Sequence, residues 1–106
     1  MKLSKTQVEI METAKSMINE AREFETFDEY LINTAWLIKE NGWTVERYKK
    51  NFVKAEAIWN DLRKGVARVH CNSKSLKKLE EYGLVEILYD STGENMGTDI
   101  IKVLNY

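Results

Sequence analysis

A chain of 106 residues with sixteen basic and seventeen acidic side chains, formal charge -1, is about one domain of sequence, and its near-zero charge neither requires nor forbids a polyanionic partner. A hydrophobic fraction of 43% is too high for a disordered chain, and the lone cysteine, Cys71, leaves no internal disulfide. No run of about eighteen apolar residues suggests a membrane span, and the charged opening MKLSKTQVEIMETAKSM lacks the apolar core of a signal peptide, so we expect one cytoplasmic domain over residues 1–106.

The chain has no proline, so glycines carry the punctuation: Gly42, Gly65 and Gly83 each follow a helical pattern. A first helix opens with SKTQ, where Ser4 and Gln7 have the spacing of a capping box, and Ile10, Ala14, Met17, Ala21 and Phe24 recur on one face. A second opens with TFDE (Thr26, Glu29), and its body FDEYLINTAWLIKEN carries an apolar stripe wide enough for cover on more than one side. Thr44 suits the cap of a third helix, in which Val45, Tyr48, Phe52, Ala55, Trp59 and Leu62 alternate in steps of three and four. That stripe predicts one long helix over 44–62 packed along the core. The same regularity suits a seam between two copies, which makes 44–62 a candidate homodimer contact. Two β-branched segments, LVEILY and TDIIKVLNY, flank the polar DSTGENMGTD and predict an antiparallel hairpin. The expected fold class is α+β: three helices and a short fourth one, then a C-terminal hairpin.

The short fourth helix is the informative one. From Asn72 or Ser73 to Tyr82, ended by Gly83, Leu76 and Leu79 fall on one side while Lys74, Lys77 and Lys78 lie within about 100° on the other. VARVHC before it reads as a turn or short strand. Between Leu62 and Leu79 lie Arg63, Lys64, Arg68, Lys74, Lys77 and Lys78, without one acid. Residues 1–61 hold nine basic and eleven acidic groups, and residues 80–106 hold Lys102 against six acids. A +6 segment in a near-neutral protein is the footprint expected of local phosphate contact.

The string SLKKLEEYGLVEI, followed by a polar loop and DIIKVL, resembles the recognition helix, first wing strand, wing and second wing strand of the winged helix-turn-helix superfamily. The resemblance covers Asn72 to Leu104 and implies a small DNA-binding regulator of the kind phages and plasmids encode. It places Lys74, Ser75, Lys77 and Lys78 toward a major groove and Asn72 and Ser73 near a phosphate, with Arg63, Lys64 and Arg68 on the flanking backbone. Lysines give mostly sequence-independent attraction, so Asn72 and Ser75 are the groups suited to base edges. The wing itself, with two aspartates, a glutamate and no basic residue, does not suit phosphate.

No catalytic or cofactor-binding constellation is visible. His70 and Cys71 are single and adjacent, too few for a zinc site and badly placed for a nucleophilic pair, and no Gly-rich phosphate loop is present. Two functions remain. One is a DNA-binding, homodimeric transcription regulator. The other is an adaptor or inhibitor, encoded by a mobile element, that uses the acidic wing (Glu94, Asp99) and apolar residues such as Trp36 against a basic protein partner.

Overall fold

The computed structural model describes residues 2–70, 73–91 and 98–106, apart from the side chain of Ser73. Its elements run α1 (Lys5–Arg22), α2 (Phe27–Thr34), α3 (Trp36–Lys39), α4 (Val45–Asn51), α5 (Ala55–Arg63), β1 (Val66–Val69), α6 (Ser73–Glu81), β2 (Val85–Tyr89) and β3 (Asp99–Val103). Helices followed by a hairpin is the expected α+β order.

The number of helices differs from expectation. The second predicted helix is broken at Ala35, whose extended backbone (ψ 113°) separates α2 from α3. The predicted 44–62 helix is broken at Phe52 (φ -117°, ψ 71°), so the apolar stripe spans two helices set at an elbow. A seam along one continuous helix is therefore not available over 44–62. Both breaks follow polar side chains that bond back to a helix carbonyl. Thr34 Oγ1 donates to the Tyr30 carbonyl at 2.6 Å, and Asn51 Nδ2 donates to the Arg47 carbonyl at 2.8 Å.

Helix starts follow the sequence closely. Ser4 and Gln7 close the capping box, with Ser4 N–H donating to Gln7 Oε1 (2.8 Å) and Gln7 N–H to Ser4 Oγ (3.2 Å). Thr26 and Thr44 accept from the amides of Glu29 and Arg47.

The sheet has the order β1-β3-β2, antiparallel throughout, so β3 is central. Val66 opposes Lys102 and Val69 opposes Asp99, while Val85 opposes Val103 and Ile87 opposes Ile101. Period-two alternation turns Ala67, Val69, Val85, Ile101 and Val103 inward, all 5% exposed or less. Against that face lies α1, about 27 Å long by its helical rise, touching β1, β3, α5 and α6. Ala14, Ile18 and Ala21 of α1, Ala67, Ile101, and Leu76 and Leu79 of α6 have no exposed surface at all.

One glycine joins the helices to the sheet. Gly65 (φ 89°) is buried between α5 and β1, where its carbonyl accepts from Val103 N–H at 2.9 Å. A Cβ there would strain the backbone, since this φ lies in the left-handed region. Arg22, at the end of α1, closes the same corner by donating to the carbonyls of Arg63 and Tyr106, each at 3.0 Å.

Candidate nucleic-acid interface

Helix α6 is held by its leucines. With Leu76 and Leu79 fully buried against α1 and β2, the helical period leaves Lys74, Lys77 and Lys78 exposed and Ser75 half-buried. The helix stops at Gly83 (φ 75°), where Leu84 N–H reaches the Leu79 carbonyl (3.1 Å) and Gly83 N–H the Glu80 carbonyl (2.9 Å). That turn delivers the chain directly into β2.

Two acids share this helix, and neither is left among the lysines without a partner. Glu80 accepts from the Ile87 amide at 2.9 Å, which turns its carboxylate to the outer edge of β2 and occupies a backbone donor there. Glu81 pairs with Lys78 at 3.4 Å across one turn, an exposed pair of small energetic weight.

The remaining basic residues precede and occupy β1. Register places the start of β1 with Lys102 and its end with Asp99, beside the hairpin loop. Arg63 and Lys64, just before β1, lie at the end of the sheet where β2 also begins, since Val66 opposes Lys102 and Val85 opposes Val103. The Arg63 guanidinium stacks 4.8 Å from the Trp59 ring centre. Arg68 is exposed on edge strand β1 and, with His70, lines a groove of about 530 Å³ against Thr6, Glu9 and Thr13 of α1. Asn72, Cys71 and the side chain of Ser73 lie outside the described residues.

A single helix lies between β1 and β2, and the preceding helix, α5, is separated from α6 by the strand. The two basic-segment helices are thus not joined by a short turn. On the hairpin, Glu94 is outside the described residues. Asp99 is 2% exposed and its Oδ1 accepts from both the amide and hydroxyl of Ser91, each at 2.7 Å. The expectation that Asp99 offers its charge to a partner is corrected by that burial: its carboxylate closes the base of the hairpin.

Sequence reasoning passed over the aromatic cluster at the junction of α1, α2, α4 and α5. The rings of Phe27, Tyr30 and Trp59 lie 5.6–6.4 Å apart, and the Trp59 indole N–H donates to the Ala21 carbonyl at 3.1 Å. Burial, and then the negative charge of Glu20, raises the Tyr30 phenol above its ordinary pKa of 10.0. Lys49 is ion-paired to Asp28, which raises its pKa, and also sits over the Phe27 ring. The signal was available as the spacing of Phe27, Tyr30 and Trp59, but it read as core.

Among the described residues, no group of three or more His, Cys, Asp or Glu could hold a metal ion, and no helix is long and apolar enough to cross a membrane. No protein-family model, curated protein or solved structure matches the chain.

Proposed function

We propose that the protein is a small DNA-binding regulator that lays α6 in the major groove. The observation that carries this reading is the two-sided character of α6: its leucines are wholly buried, and its three lysines stand in solvent on a helix fixed in orientation by the hairpin behind it. A helix about 10–12 Å across matches a groove about 12 Å wide. The hairpin that follows supports the winged-helix likeness, as does a sheet in which β3 lies between β1 and β2. Lysine contacts would supply salt-sensitive attraction, with Ser75 and Asn72 adding modest base preference. Arg63 and Lys64 would touch the flanking phosphates. A homodimer would set two α6 helices about one helical turn of DNA apart.

The test is fluorescence anisotropy of a labelled 25-base-pair duplex at low and moderate salt. Wild type should bind in the micromolar range and lose affinity with salt as about four to six phosphate contacts predict. The triple variant Lys74→Glu, Lys77→Glu, Lys78→Glu should not bind. Unchanged affinity in that variant, or no binding by wild type at low salt, sinks the reading.

One observation favours the adaptor reading as a second proposal: α3 and α4 bury no residue, and Trp36 is 61% exposed. On that reading Trp36→Ser abolishes partner capture while the lysine variant retains it.

A further inference from the structure

Between α1, α2, α4 and α5 lies a cleft of about 270 Å³ lined by Phe27, Tyr30, Tyr48 and Trp59, of which Phe27 and Trp59 are buried and pack on Tyr30. Among the described residues that line it, Glu20 is the only charged one. Four electron-rich rings with one carboxylate form a site for positive charge, because ring quadrupoles and the carboxylate attract the same sign. Glu20 also lies in the last turn of α1, where the partial negative charge of the helix end acts in the same direction. The chain itself shows how these rings behave. Lys49 Nζ sits 5.6 Å from the Phe27 ring centre and the Arg63 guanidinium 4.8 Å from that of Trp59, while neither residue lines the cleft.

We propose that this cleft binds a small organic cation, a trimethylammonium head with a short tail, against Phe27, Tyr30, Tyr48 and Trp59 with Glu20 as its counter-charge. The cleft is large enough for such a head. A bare metal ion does not fit the chemistry, since a single carboxylate and phenol groups offer too few oxygen ligands. The weakly hydrated surface of an alkylammonium is what rings can cover, and its charge is what a neutral apolar guest lacks. The site stands apart from α6, which packs on α1 and β2, so the inference does not depend on DNA binding.

The experiment compares choline with its neutral carbon isostere, 3,3-dimethylbutan-1-ol, followed by the Trp59 indole N–H resonance in the full chain. Choline should saturate with a Kd of about 1 mM, and the isostere should bind at least about tenfold more weakly. Glu20→Gln should weaken choline several-fold without changing the isostere, and Glu20→Lys should abolish choline binding. Glu20 is exposed, so both variants should keep the wild-type fold, checked by the unliganded spectrum. Equal affinity for the two compounds would make the cleft merely apolar and overturn the proposal. So would the absence of saturation by choline up to about 50 mM, or an unaltered choline affinity in Glu20→Gln.

Discussion

Two halves of this molecule are stabilised by different amounts of the same force. In the body, formed by α1, α5, α6 and the sheet, the largest fully buried side chains are Ile18, Leu76, Leu79, Val85 and Ile101. In the arm, α2 contributes Phe27 and Leu31 to the core while α3 and α4 bury no residue. The overall extents are 45 × 29 × 21 Å, and the radius of gyration of 15.1 Å exceeds the roughly 13 Å of an evenly packed chain of this length. Helices of four and seven residues cannot persist on their own propensity, so α3 and α4 depend on what they touch. They touch α2 and each other, and α2 in turn meets α5 at the aromatic junction, where Trp59 lies against Phe27 and Tyr30. The proposals divide along the same line, with α6 in the body and the proposed cation cleft where the body meets the arm.

The largest effect expected from breaking this contrast is in the body. Leu79→Ala removes a side chain with no exposed surface and should cost about 2–5 kcal/mol, because its neighbours in α1 and β2 cannot close the gap. Urea unfolding followed by circular dichroism should show a single transition at much lower midpoint. A loss below about 1 kcal/mol would mean that α6 is not the fixed element the lysines need.

Much of the body was legible because its signals are local and redundant. The Ser4–Gln7 box, the glycine after α6, the opposition of Leu76 and Leu79 to the lysines, and the two β-branched segments each name an element and its inward face. The arm was misread where the apolar stripe ran on through a broken backbone. Periodicity reports which side of a chain is apolar, and residues on both sides of an elbow can face one core while Phe52, at the elbow, stays 44% exposed. Neither break contains glycine or proline; the usable clue was Asn33-Thr34 and Asn51, side chains that compete for helix carbonyls. For the site, the spacing of the leucines told which lysines share a face. How Arg63 and Lys64 stand to them depends on strand register, which a linear count of charge does not carry.

A smaller effect tests the junction through pH. The Tyr30 phenol is held above its unfolded value of 10.0, first by burial and then by Glu20. The folded state therefore keeps a proton that the unfolded chain releases. Stability from this group is fully present below about pH 10 and is lost as pH rises through the higher folded value. Tyr30→Phe should flatten the alkaline fall in urea midpoint above about pH 10 relative to wild type, with the two proteins parallel below about pH 9. Parallel falls throughout would show that the junction does not shield Tyr30.

The smallest effect belongs at the elbow. Val53 is 79% exposed, between α4 and α5, beside Phe52 and the side chains that line a shallow groove of about 390 Å³. Burial is what makes an apolar side chain stabilising, so Val53→Ser should shift folding free energy by no more than about 0.5 kcal/mol in either direction. Urea unfolding of a dilute sample measures this directly. A loss of more than about 1 kcal/mol would mean that Val53 is covered in solution, since only removal from water gives a valine that weight. Repeating the melt at several protein concentrations then identifies the cover. A concentration-dependent midpoint in wild type that disappears in Val53→Ser requires a second copy on the elbow, because self-association stabilises the folded state by mass action. A concentration-independent midpoint requires contacts within the chain, and the arm would then be as firmly packed as the body.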